Sequence, residues 1–138
     1  MGDPREVIER AVRVWNDHDN SGWLEQFTDD AELSGPNFKA SGSEAARMFY
    51  SVWKDAFPDN QVRVVAIYED GDIGVIQGIL EGTHTGTFNA PDQSPLEATN
   101  KKVALPYVNV ITARNGKIKS LVGYFDLGGL TSQLRAGS

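Results

Sequence analysis

The sequence has no cysteine among its 138 residues. Disulfides, thiolate metal sites and cysteine nucleophiles are therefore excluded. Histidine is nearly as scarce. His18 and His84 are the only two, and their separation offers no metal-ligand spacing, so no metal is expected. No apolar run is long enough to span a membrane. Basic residues are in the minority: 13 Lys and Arg face 19 Asp and Glu, for a net charge of −6. An acidic surface disfavours non-specific binding to nucleic acid or anionic membrane, and neither is expected as a partner. Residues 1–6 carry no secretory pattern. Glu6 stands where an N-myristoylation signal after Gly2 needs Ser or Thr, so the expected location is the cytoplasm.

What is present fits an ordinary globular chain. Residues 1–138 are expected to form one domain, long enough to bury roughly two-thirds of the unfolded surface. Asp3 can cap a first helix, with Pro4 at its first position and Val7, Ile8, Ala11, Val12 and Trp15 along one stripe. His18 is expected at the C-terminal end of that helix. A short helix over 21–27 follows, then Asp29 and Asp30 at a turn, then a strand over 31–34. Ser41-Gly42-Ser43-Glu44 reads as a capping box for a third helix ending at Pro58. Ala45, Met48, Phe49, Val52, Trp53, Ala56 and Phe57 give that helix a wide apolar face.

Strands are expected over 61–69, 73–85, 102–113 and 117–125, with a final helix over 127–134. Asn115-Gly116 is a strong hairpin signal. A polar loop with Pro91 and Pro95 fills 89–100. Helices first and a strand meander after them indicate an α+β protein. Helices on one face of a curved sheet would leave a conical hollow.

This order resembles the nuclear-transport-factor-2-like (NTF2-like) fold, a cone of three to four helices packed on a curved antiparallel or mixed sheet that encloses a cavity. Trp15-Asn16-Asp17-His18-Asp19, Phe27-Thr28-Asp29-Asp30-Ala31, Ala56-Phe57-Pro58-Asp59, Gly82-Thr83-His84-Thr85-Gly86, Asn115-Gly116-Lys117-Ile118 and Tyr124-Phe125-Asp126 through Gln133-Leu134 together resemble the SnoaL-like polyketide cyclase family. The resemblance covers almost the whole chain. It implies a cofactor-independent cyclase or isomerase of secondary metabolism, of the kind used in antibiotic biosynthesis. Such an enzyme moves a proton next to a carbonyl of a hydrophobic polyketide-type molecule in an internal cavity. The resemblance also places the founding cyclases' aspartate at Gly123 and their pocket histidine at Asn109. The base of the ketosteroid isomerases, which share the fold, falls near Gly35.

With those ionisable groups replaced, Asp126 is the leading acid/base candidate, and it can equally cap the last helix. Asn109 is a candidate donor to a carbonyl or enolate oxygen. His84 shares strand parity with Gly82, Leu80, Gly78 and Ile76, where missing side chains leave room for a ligand or for another part of the chain. Trp15, Phe38, Phe49, Trp53, Tyr107 and Phe125 are candidate substrate-binding residues. A two-residue loop at Asn115-Gly116 sets Asn109 opposite Val122, whereas a bulge sets it opposite Gly123. Val108, Val110 and Val122 on the outer sheet face suggest a homodimer. The alternative function is a non-catalytic small-molecule-binding module on the same scaffold, whose cavity would hold no carboxylate with a raised pKa.

Overall fold

The computed structural model describes residues 3–36, 38–89 and 94–135. Met1, Gly2 and Pro91 lie outside the described residues. Helix α1 spans Pro4–Asn16 and α2 spans Asn20–Glu25. Strands β1 (Phe27–Gly35) and β2 (Phe38–Ser41) precede α3 (Ala45–Ala56). Then come β3 (Gln61–Asp70), β4 (Ile73–Thr83), β5 (Lys102–Arg114), β6 (Lys117–Phe125) and α4 (Leu127–Arg135). None of the described helices is long and apolar enough to cross a membrane.

The α+β expectation holds. The strands form one mixed, open sheet in the order β2-β1-β6-β5-β4-β3, in which only β1 and β6 run parallel. Helix α1 packs on β3, β4 and β5, and α3 packs on β1, β2 and α2. The core lies between these layers, with Val7, Phe57, Leu33, Ile111 and Ile118 fully buried.

Local chemistry explains the starts and stops. Asp3 caps α1 through the Glu6 amide at 2.8 Å. Asp19 caps α2 through the Gly22 amide at 2.9 Å, so that helix begins and ends earlier than its apolar pattern suggests, and Phe27 already belongs to β1. His18 lies beyond the α1 terminus, in the left-handed region at φ 56°. Asp29 and Asp30 sit within β1, not in a turn, and Asp30 pairs with Arg114 at 2.8 Å.

The capping box does not form. Ser41 ends β2, Gly42 turns the chain at φ 90°, and Glu44 takes the N-cap position of α3 without a side-chain hydrogen bond. Asn16 compensates an edge: its amide pairs with both backbone groups of Val62, at 2.7 and 3.0 Å, as a neighbouring strand would.

The β5–β6 hairpin resolves the register. Asn115 and Gly116 both have positive φ, 53° and 78°, as a two-residue type I′ turn requires. Arg114 therefore pairs with Lys117. Thr112 then pairs with Ser120 while Ala113 pairs with Ile118, so Lys119 is the extra residue of a bulge. That one residue moves Asn109 opposite Gly123 rather than Val122.

Candidate functional site

A cavity of about 100 Å³ opens between the helices and the inner sheet face. Its deep wall is aliphatic and aromatic, from Ile8 and Ala11 on α1 to Ile76 and Leu80 on β4 and Leu105 and Ile111 on β5. Half-buried Ser34, Gly35, Pro36 and Phe38 line it from the β1–β2 hairpin, and Phe49 and Val52 line it from α3. Trp15, Trp53, Tyr107, Asn109 and Phe125 line it as well, so all six expected substrate-binding residues and Asn109 share one hollow.

Polar groups in this lining are few. Tyr107 and Asn109 are two apart on β5 and so face the same side. Across the hairpin, Asn109 lies opposite Gly123, and a Cβ there would meet its Oδ1 at 2.9 Å. The missing side chain at Gly123 is what leaves the amide its place. Tyr107 is opposite Gly78, and its ring and hydroxyl lie where a Gly78 side chain would be, 2.9–3.0 Å from that Cβ position.

Burial pushes the Tyr107 phenol well above its ordinary range. It is thus a neutral hydrogen-bond donor at physiological pH and a poor base. Neither the Tyr107 hydroxyl nor the Asn109 amide has a hydrogen-bond partner among the described residues, so both are available to a ligand.

The three tryptophans differ in the same respect. The Trp15 indole donates to Asn60 Oδ1 at 2.7 Å and that of Trp23 to the Ala46 carbonyl at 3.0 Å. The Trp53 N–H has no acceptor among the described residues, although its ring is fixed edge-on against Phe125 with centroids 5.2 Å apart. Trp53 is a further free donor that aromatic spacing on a helix does not reveal. Trp23, Phe88 and Ser34 also line the cavity and carry no sequence signal beyond their polarity.

Two expected catalytic residues are placed elsewhere. Asp126 does not line the cavity. It is exposed, and Oδ1 accepts the Gly129 amide at 2.8 Å, which makes it the cap of α4. His84 is fully buried but lies beyond the last residue of β4, under the loop that leads to β5. Its Nδ1 is 3.0 Å from Thr99 Oγ1, its ring packs on Phe57 at 5.2 Å, and its backbone holds Asn100 and Lys101. Burial depresses its pKa, with the nearby Leu96 carbonyl opposing that. This environment fixes a neutral imidazole as a structural pin.

Lys54 is a further buried ionisable group, also outside the described lining. Its ammonium donates to the carbonyls of Trp15 at 2.9 Å and Asn60 at 3.0 Å, meets His18 Nδ1 at 3.0 Å, and lies 4.7 Å from the Trp15 ring centre. Desolvation lowers its pKa to about 8, against an opposing pull from Asp59. Among the described residues no three His, Asp or Glu side chains gather closely enough to hold a metal.

The whole architecture recurs among solved proteins. A proposed SnoaL-like polyketide cyclase from Jannaschia sp. CCS1 superposes with a TM-score of 0.81 at 22% identity, over 100% of this chain and 99% of that one. TerC, crystallised with polyporic acid, gives 0.75 at 18% identity over 96% and 98%. A protein with a ketosteroid isomerase-like fold from Catenulispora acidiphila DSM 44928, crystallised with trimethylamine, gives 0.73 at 18% identity over 96% and 93%. At these identities the likeness establishes the NTF2-like fold. No curated protein matches the sequence significantly. The sequence model described as SnoaL-like polyketide cyclase, however, matches residues 5–134, nearly the full span that builds the cone and its lining. The chain belongs to the SnoaL-like polyketide cyclase family.

Proposed function

We propose that the cup binds a hydrophobic, carbonyl-bearing small molecule of the polyketide type, with the carbonyl oxygen held by Tyr107 and Asn109. The observation that carries this reading is the lining itself, an aromatic and aliphatic wall in which these two neighbouring groups have no partner of their own. A pocket of this kind gains most of its affinity from apolar burial and its orientation from a few polar contacts.

Family membership favours a second reading, in which the cup also closes a ring or isomerises its ligand without a cofactor. Tyr107 and Asn109 would then hold the developing enolate oxygen while the walls fold the substrate, but the described lining offers no side chain basic enough to take the α-proton. Asp126 and His84 support neither step from where they lie. The absence of a carboxylate from the described lining favours binding over turnover. The remaining expectations join the proposal: one domain in the cytoplasm, serving secondary metabolism such as antibiotic biosynthesis. It would dimerise through the outer sheet face, where Tyr124 is 59% exposed beside half-buried Val108, Val110 and Val122.

The test is calorimetric titration of the wild type and of Tyr107→Phe/Asn109→Leu with a bicyclic aromatic ketone. Losing two neutral hydrogen bonds should weaken binding by roughly ten- to a hundredfold. Equal affinity in the double variant, or no binding to the wild type, would overturn the assignment.

A further inference from the structure

We propose that the cup accepts only uncharged ligands: a neutral aromatic ketone, quinone or ester enters, and a carboxylate of the same shape is refused. This rests on the binding reading above and adds the charge state of the ligand to it. The cavity has no Asp, Glu, Lys, Arg or His among its described lining residues. Its titratable group, Tyr107, is a neutral phenol.

Neither buried ammonium serves as a counter-ion: Lys101, whose Nζ is buried without a partner among the described residues, is not among the described lining residues, and nor is Lys54. Lys54 has its donors directed at the Trp15 and Asn60 carbonyls and the His18 ring. Its ammonium lies over the Trp15 indole, and Trp15 lines the cup while Lys54 does not. Asp126, the carboxylate nearest in sequence to the lining residue Phe125, is exposed and occupied with the α4 cap.

An ionised ligand would thus give up its hydration to a wall of rings and alkyl chains. Tyr107, Asn109 and the Trp53 indole return part of that loss as hydrogen bonds, but no opposite charge returns the rest. Neutral donors of this kind suit a carbonyl oxygen, whose hydration is cheap to remove. The same geometry that welcomes a ketone therefore discriminates against an anion.

The experiment uses two near-isosteric probes, 2-acetylnaphthalene and 2-naphthoate, which differ by a methyl group in place of a charged oxygen. Each is titrated calorimetrically into the wild type at pH 7.5, and then into Val52→Trp, a substitution that fills the mouth from half-buried α3. The expected result is measurable binding of the ketone, abolished in Val52→Trp, and binding of the carboxylate weaker by about a hundredfold or more. Binding of both probes within about threefold of each other, with both lost in Val52→Trp, would overturn charge exclusion and leave the binding site standing. Absence of ketone binding to the wild type, or its persistence in Val52→Trp, would overturn the binding reading and this inference with it.

Discussion

Raising the pH should stabilise this protein through Lys54, over a range where lysines ordinarily contribute nothing. The native ammonium has its pKa depressed to about 8, chiefly by desolvation, from an ordinary 10.5. The unfolded chain therefore binds more protons than the native one between those values, and stability rises with pH across that window. The contribution is fully present above about 10.5 and is lost as pH falls through about 8. At about 1.36 kcal/mol per pH unit the gap bounds the whole effect at roughly 3.4 kcal/mol. Because relaxation and water penetration reduce the cost of a buried charge, about half of that is the better expectation. Between pH 7 and 9.5 the gain should be about 1–2 kcal/mol. Buried Tyr50 and Tyr107 complicate the alkaline end, since their raised pKa values make stability fall above pH 10. The informative quantity is therefore the difference between wild type and Lys54→Met, from urea unfolding followed by tryptophan fluorescence at both pH values. Wild type should gain on the variant as pH rises. A difference that stays constant, or that moves against the wild type as pH rises, would refute the view that Lys54 is a cation kept at a cost by two carbonyls and a ring.

Three other outcomes follow from the placement of side chains. Gly78→Ala should drive the Tyr107 ring from its slot, costing about 1–3 kcal/mol in thermal unfolding and weakening ketone binding in the same titration. Asp126→Ala should lose about 1 kcal/mol with the α4 cap yet leave ligand affinity, and any turnover, as in the wild type. For His84, whose native pKa lies below 6.5, stability is fully present above pH 6.5 and is lost as pH falls through the native value; acid unfolding should be steeper for the wild type than for His84→Gln.

Much of the scaffold was legible because its signals are local. Asp3-Pro4, the apolar stripe of α3 and the Asn115-Gly116 turn each act within a few residues, and each forms as read, except at the start of α3. Strand β2 is four residues long, and its last residue fits a Ser-x-x-Glu pattern that propensity cannot separate from a real cap. What decides against the cap is Gly42, whose amide bonds to the Ala31 carbonyl across the sheet. The Asn109 register likewise turned on one residue, Lys119, bulged from an otherwise regular hairpin. Asp126 was ambiguous for a chemical reason: a carboxylate that caps a helix and one that moves protons have the same neighbours in sequence and differ only in what they face.

The glycines of β4 show most plainly why the site could be only half read. Gly74, Gly78 and Gly82 recur every fourth residue on one face of β4, Gly86 follows at the same spacing beyond its end, and missing side chains there mark space without naming its occupant. Three of the four spaces hold parts of the fold. Pro4 and Ile8 of α1 come within 2.9 Å of the Cβ position at Gly74, Asn60 approaches Gly82 to 3.0 Å, and the Asp55 carbonyl closes on Gly86. This is why His84, set between the last two, is sealed against the end of α3 rather than open to a ligand. At Gly78 the occupant is Tyr107, and that exchange puts a hydroxyl in the cup. A small-residue track is thus a record of close approach, and it becomes a functional signal only where the approaching atom is itself polar and still unpaired.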